Sequence, residues 1–322
     1  MAVYAALDEK DFTLVTEAYG LGSFVEATGI PQGSINTNYR IETGSGRYFV
    51  RHTTVRSAAD LTFEAGLLAH LAQSAFPSPH LLRARSGAPF LELAGGRVSV
   101  FRYLVGEELT RDRLTPEHLE RLGAELGKMH RLTNSFGGHR DNPYSVTVVA
   151  GWLEGLKSNP DPEIAKIAAE ELGYLEDSQL ASGELVPRGV IHADLFMDNV
   201  KWVGDRVSAF FDFEMACRDT FTRDVAITLN AWCFNGGYDE ALCRAFIRGY
   251  EDERRLSTAE RSDLWHQALF GAVRYTASRI RDFHLSPLPP DKLFKKDFRT
   301  YLARSRDLKR LGPKGFRALL GL

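Results

Sequence analysis

Residues 190–200 read VIHADLFMDNV. Val190 and Ile191 read as the end of a buried strand, and His192, Asp194, Asp198 and Asn199 follow at once. Asp and Asn are ordinary turn residues, so one reading makes this stretch the exit turn of that strand. Two features ask for more. The polar residues keep the spacing His-x-Asp-x-x-x-x-Asn, and a further acid, Asp212 in SAFFDFE, comes after a strand–turn–strand pattern.

The rest of the chain decides between these readings. It has 322 residues, enough for a sizeable core and for two lobes. Hydrophobic residues make up 44% and charged residues 25%, as in an ordinary globular protein. The net charge of -2 provides no field for nucleic acid or an anionic membrane. No apolar run is long enough to span a bilayer. The opening MAVYAALDEKDF lacks a basic leader, so it does not read as a secretory signal. The three cysteines, Cys217, Cys233 and Cys243, form no C-x-x-C pair and read as buried thiols in a reducing compartment, the cytoplasm.

Strand patterns gather in the first part, at 24–28, 38–43, 47–52, 90–93 and 98–104. Gly44-Ser45-Gly46 joins the second and third as a hairpin. Helices are expected at 8–19, capped by Asp8, and around Leu61, Leu67, Leu68 and Leu71. Past Gly106 the pattern turns helical: a start at Thr115-Pro116-Glu117, another near Asp161-Pro162-Glu163, then 224–232, 239–253 and 258–281. The fold class is therefore α+β, with a small antiparallel-sheet lobe over 1–101, a linker at 102–106 and a larger, mainly helical lobe over 107–322. A cleft between two such lobes is a common ligand site.

The spacing His-x-Asp-x-x-x-x-Asn is that of the catalytic loop in phosphoryl-transfer enzymes of the protein-kinase type. Such chemistry is mostly positioning and electrostatics. Asp194 is placed to orient or deprotonate an acceptor hydroxyl. Asn199 and Asp212 offer hard oxygen ligands suited to magnesium, and the strand pair between them returns the chain so that both face one cleft. His192 reads first as a brace for the loop, with the acceptor site as its second reading. Asp198 is either a metal contact or a solvated turn acid. In the first lobe the small-residue turn Gly33-Ser34-Ile35-Asn36-Thr37-Asn38 can bring backbone N–H groups to phosphates, or be an ordinary hairpin turn. Arg51 and Glu64 stand in the order of the kinase Lys–Glu pair, and Arg51 reads equally as a solvated strand end.

Taken together these residues resemble the aminoglycoside-phosphotransferase-like kinases, which are protein-kinase-like in fold. The stretches GSINTNYRI, GVIHADLFMDNV, FFDFEMACRDTFTRDVAITLNAWCF, FIRGYEDERRLSTAE and VRYTASRIRD narrow the resemblance to the homoserine kinases of that superfamily, which feed threonine synthesis. The resemblance runs from residue 29 to residue 308. It implies ATP with Mg2+ and transfer of the γ-phosphate to the side-chain hydroxyl of L-homoserine. It implies Asp194 as base, Asn199 and Asp212 as metal ligands, and the linker residues Phe101, Tyr103 and Val105 around the adenine. Two departures stand out: Glu214 where protein kinases carry Gly, and Arg51 where they carry Lys.

Homoserine is a zwitterion and needs an acid and a guanidinium or backbone donors. Glu214 is the expected partner of its ammonium, and Arg274 or Arg279 of its carboxylate. Asn230 and Trp232 read as pocket walls or as core. Rival acceptors are an aminoglycoside, choline or methylthioribose. The basic tail from Lys292 to Arg317 does not suit a polycation, though it can equally be a solvated face. A nucleotide-binding protein without catalysis is the remaining alternative, and the intact Asp194, Asn199 and Asp212 argue against it. Expected partners are L-homoserine and ATP, with no nucleic acid and no membrane, in a monomer or homodimer.

Overall fold

The computed structural model describes residues 7–30, 36–177, 186–286 and 296–322. Helix α1 (Glu9–Tyr19) begins at a reciprocal cap: Asp8 accepts from the Asp11 amide at 2.9 Å, and Asp11 accepts from the Asp8 amide at 3.0 Å. Two otherwise orphaned donors are thereby satisfied. Phe12, Val15 and Tyr19 fall on one face and pack on Tyr39, Ile41 and Val50.

That core belongs to a five-stranded antiparallel sheet. Strands β1 (Phe24–Ile30), β2 (Thr37–Thr43) and β3 (Gly46–Thr53) precede helix α2 (Ala58–Ala72), and β4 (Leu91–Leu93) and β5 (Gly96–Arg102) follow it. The order is β1-β2-β3-β5-β4. The expected β2–β3 hairpin is present, with Thr43 opposite Gly46 across the Gly44-Ser45 turn. Asn38 lies opposite Arg51, so both side chains leave the same face of the sheet. After β5, residues 103–106 carry no regular structure, and Glu107 then bridges to Trp202 in the second part of the chain.

That second part is mainly helical: α3 (Pro116–Thr133), α4 (Val146–Leu156), α5 (Pro162–Asp177), α6 (Phe221–Trp232), α7 (Glu240–Glu253), α8 (Thr258–Arg279) and α9 (Arg299–Leu320). Between α5 and α6 four short strands form two ribbons: β6 (Arg188–Ile191) with β9 (Cys217–Thr220), and β7 (Val200–Val203) with β8 (Arg206–Phe210). The mixed architecture of a small antiparallel sheet followed by a helical body agrees with the expected fold class. Helices α3 and α7 cross almost backbone to backbone, because a methyl group on Gly249 would collide with the Glu120 carbonyl.

Three elements were not legible in the sequence. Helix α4 hides behind β-branched residues and two glycines, VTVVAGWLEGL, but Ser145 caps it by accepting from the Val148 amide at 3.3 Å. Strand β9, CRDT, has no strand-like composition and forms because β6 offers it a partner. Helix α9 lies in the basic tail, which is more than a solvated face: Tyr301, Leu302, Ser305 and Leu308 are buried. Ser305 and Lys309 both reach the buried Glu171 of α5, at 2.7 and 2.9 Å. No helix of the described residues is long and apolar enough to cross a membrane.

Candidate active site

The loop after β6 is held from below by one carboxylate. Asp224, on the first turns of α6, accepts from the His192 amide at 2.7 Å and the Ala193 amide at 2.8 Å. It also accepts from Nε2 of His130 at 3.0 Å, while the Tyr250 hydroxyl donates to Nδ1 of His130 at 2.8 Å. Burial alone would raise the Asp224 carboxyl, but the bonds from His130 and His192 hold it below its usual range. Burial lowers the affinity of both His130 and His192 for a proton. His192 is neutral in this setting: Nδ1 accepts from the Asp194 amide at 3.3 Å and Nε2–H donates to the Phe211 carbonyl at 3.0 Å. It is fully buried against Phe213, so it acts as the brace of the two roles the sequence left open. Ala193 sits at φ 65°, a left-handed conformation that persists because the Asp224 fork fixes it.

Above this base the functional side chains converge. Asp194 is half-buried. Nδ2 of Asn199 donates to the Asp194 carbonyl at 2.8 Å and lies 3.4 Å from Oδ2 of Asp194. The β7–β8 ribbon brings the chain back as expected, with the Phe211 amide donating to the Asn199 carbonyl at 3.0 Å, and Asp212 follows at φ 63°. Among the described residues, nothing donates a hydrogen bond to the Asn199 amide oxygen or to the Asp212 carboxylate. Protein crowds the Asp212 carboxyl and raises it well above its ordinary value, and repulsion from Glu214 and Asp194 adds to this while Arg51 opposes it. Two unengaged hard oxygens on adjacent segments fit a magnesium ion that takes its other ligands from phosphate and water. Among the described residues there is no cluster of three or more His, Cys, Asp or Glu that would hold a metal by itself.

Arg51 is not a solvated strand end. It is buried, with Nη1 at 3.1 Å and Nη2 at 2.6 Å from the two Glu64 oxygens, and Nη1 at 2.9 Å from Glu214. Its guanidinium lies 5.0 Å over the Phe101 ring. Burial opposes its charge, but Glu64 and Glu214 raise its proton affinity overall. Glu214 stands away from the role expected of it. Its carboxylate is taken by Arg51, by Arg56 at 3.5 Å and by the Asn36 amide, which leaves little of it for an acceptor ammonium. Arg56 and Arg140 also donate to the Glu214 carbonyl, each at 2.7 Å, and Arg140 reaches Asp60 on α2 at 2.8 Å. The sheet lobe and the Asp212 loop are thus tied together by arginines that no local sequence pattern marks.

On the other side of Asp194 lies α8. The Tyr275 hydroxyl donates to Oδ1 of Asp194 at 2.8 Å. Burial, with Arg274 opposing and Asp194 adding, holds the phenol far above its ordinary value, so it remains a donor. The Arg274 guanidinium is buried between two rings, 4.0 Å over Tyr144 and 3.9 Å over Tyr275. Among the described residues its neighbours are these two rings and the charge of Asp194, with no carboxylate in a direct ion pair. Burial works against its charge, and Tyr275 and Asp194 outweigh that. Arg279 is engaged instead by the Asp297 carbonyl at 2.9 Å and Thr300 at 2.7 Å.

Asn230 and Trp232 belong to the core and not to a pocket wall. Asn230 spends its amide on the Ala268 carbonyl at 2.8 Å and its oxygen on Tyr238. Trp232 is fully buried and donates from Nε1 to the Leu195 carbonyl at 2.9 Å, steadying the loop from behind. In the linker region the Phe101 side chain is buried under Arg51, while Tyr103 and Val105 are exposed. An open groove of about 400 Å³ runs just past the linker, between Glu108, Thr110 and Arg111 on one side and Phe196, Met197 and Asp198 on the other. Gly33 and Ser34 lie outside the described residues.

A small antiparallel sheet packed over a His-x-Asp loop, with an Asn and a second Asp facing the same cleft, defines a phosphotransferase of the kinase-like type. The chain belongs to the phosphotransferase enzyme family, whose sequence profile matches residues 26–257, and within it to the group of the homoserine kinases. It is 35% identical over 315 residues to the homoserine kinase of Brucella anthropi, covering 95% of this chain and 94% of that one. The homoserine kinase of Nitrobacter winogradskyi is 35% identical over 319 residues, covering 97% and 96%. Among solved structures, an amicoumacin kinase in complex with AMP-PNP, Ca2+ and Ami superposes with a TM-score of 0.73 at 19% identity, covering 95% of each chain. A choline/ethanolamine kinase family protein from Mesorhizobium loti gives 0.64 at 18%, covering 97% and 98%. At these identities the structural likenesses establish the fold.

Proposed function

We propose that the protein is an ATP-dependent kinase that transfers the γ-phosphoryl group to the side-chain hydroxyl of L-homoserine, giving O-phospho-L-homoserine for threonine biosynthesis. The observation that carries the acceptor is the Arg274 guanidinium, buried beside the base and without a carboxylate partner among the described residues. A buried guanidinium held by two ring faces and the charge of Asp194 still has N–H donors to give a ligand anion. An amino-acid carboxylate is such an anion, and a polycation is not. A cage for a quaternary ammonium would need open ring faces. Here guanidiniums already cover Tyr144, Tyr275, Trp152 and Tyr301, at 3.8–4.4 Å.

In this reading Asp194 orients the acceptor hydroxyl and takes its proton as the phosphoryl group moves. Asn199 and Asp212 would hold Mg2+, which would supply positive charge against the phosphate oxygens. Arg51, fixed by Glu64, is the guanidinium nearest the phosphates, with Asn36 and Asn38 on the same side. Residues 102–106 are the hinge between a nucleotide lobe at 1–101 and a catalytic lobe at 107–322, and Tyr103 and Val105 offer their backbone to the adenine. The buried free thiols suit a cytoplasmic location.

The test is ADP release with Mg-ATP against L-homoserine, D-homoserine, L-serine, choline, methylthioribose and kanamycin. Selectivity for L-homoserine by two or more orders of magnitude in kcat/KM is expected. Preference for choline or kanamycin would overturn the acceptor assignment and leave the phosphoryl-transfer site standing.

A further inference from the structure

The base has a partner outside the loop that carries it. Tyr275 lies on α8, far along the chain from Asp194, and its O–H donates to Oδ1 at 2.8 Å. Among the described residues the other oxygen, Oδ2, has only the Asn199 amide, at 3.4 Å. One oxygen is therefore firmly held and the other is available. The ring is buried and packed against three neighbours, which limits its movement. Phe196 meets it edge-on at 5.1 Å, Tyr301 lies 4.8 Å away, and the Arg274 guanidinium covers a face at 3.9 Å. A rigid donor on a helix is the arrangement that fixes the rotamer of a carboxylate standing on a short loop.

We propose that Tyr275 is a positioning residue for the transfer step: its hydroxyl fixes Oδ1 of Asp194 so that Oδ2 is turned to the acceptor hydroxyl. Tyr275 touches neither nucleotide nor acceptor in this role and works through Asp194. The inference rests on Asp194 being the base, and the experiment separates the two claims.

Steady-state kinetics are compared for the parent enzyme, Tyr275→Phe, Asp194→Asn and Arg274→Gln, with L-homoserine and with 3-amino-1-propanol, which is homoserine without its carboxylate. Tyr275→Phe keeps every ring contact and loses one hydroxyl. Its kcat is expected to fall at least tenfold on both acceptors by the same factor, with KM for ATP and for each acceptor within threefold. Arg274→Gln removes the expected partner of the acceptor carboxylate and also one wall of the Tyr275 ring, so it is expected to raise KM for L-homoserine and not for 3-amino-1-propanol, while lowering kcat on both. If Asp194→Asn is inactive while Tyr275→Phe keeps kcat within twofold, Tyr275 does not position the base. If Asp194→Asn is active, the assignment of the base itself fails. Should Tyr275→Phe fold poorly, 4-aminophenylalanine at position 275 keeps the ring and restores an N–H donor at the same reach. Its kcat is expected within threefold of the parent, and a kcat at least tenfold lower, with KM for ATP and acceptor unchanged, would overturn the proposal.

Discussion

Replacing Asp224 by Asn changes one carboxylate oxygen into an amide and almost nothing in shape. In the parent protein the two oxygens accept from the His192 amide, the Ala193 amide and His130, at 2.7, 2.8 and 3.0 Å. An Asn side chain has one acceptor oxygen, so it can serve one flank of this fork, and its NH2 faces a donor on the other. With the oxygen in the Oδ2 position the Ala193 amide is left without an acceptor, and with the flipped amide both the His192 amide and His130 are, at about 1–3 kcal/mol each. Ala193 adds roughly 1–2 kcal/mol, because its left-handed conformation no longer has both amides anchored. A loss of about 4 kcal/mol corresponds to a Tm lower by roughly 6 °C for a chain of this size. The loop that carries Asp194 loosens with it, and a misplacement on the order of 1 Å costs about 100-fold in rate. Differential scanning calorimetry and turnover with L-homoserine read both effects. A variant with unchanged Tm and kcat within twofold of the parent would refute the view that Asp224 fixes the catalytic loop.

Three further outcomes follow from other parts of the molecule. Arg51→Lys cannot form the fork to Glu64 and leaves Glu214 short of a partner, so KM for ATP is expected to rise about tenfold, since a point charge does not replace a planar guanidinium; an unchanged KM would remove Arg51 from nucleotide binding. Gly249→Ala forces a methyl group into the Glu120 carbonyl where α3 crosses α7, and about 1–3 kcal/mol of stability should be lost in urea unfolding with the m-value preserved; wild-type stability would contradict the close crossing. His130 and His192 are buried with lowered proton affinity, so the folded state binds fewer protons than the unfolded chain. Their contribution is full above the ordinary histidine value of 6.5 and is lost as the pH falls below it, at up to about 1.4 kcal/mol per group per pH unit. A Tm that stays flat from pH 7 to pH 5 would contradict that sign.

Much of the site could be read locally. The spacing from His192 to Asn199 is short, and the β7–β8 ribbon returns Asp212 to Asn199 because a two-strand turn can do nothing else. The Arg51–Glu64 order on strand and helix also survived into a bidentate ion pair. What could not be read are contacts made across long stretches of chain. Tyr275 meets Asp194 and Arg140 reaches Glu214 from segments with no motif, since their partners are chosen by how α8 and the 134–145 loop pack. Glu214 illustrates the same limit from the other side. Its position beside Asp212 suggested substrate contact, yet the depth of Arg51 and Arg56 decided its partners. Asn230 and Trp232 lie in a helix whose every side chain is buried, so a position near the site in sequence became a position in the core.

The most direct measurement is the identity of the phosphorylated product. The protein is incubated with Mg-ATP and L-homoserine, and the new phosphoester is located by phosphorus–proton correlation NMR. The account expects a single phosphoester whose phosphorus couples to the γ-methylene protons of homoserine, formed by the parent and absent with Asp194→Asn. ADP formed without any homoserine phosphoester, or the same ester formed at parental rate by Asp194→Asn, would contradict it.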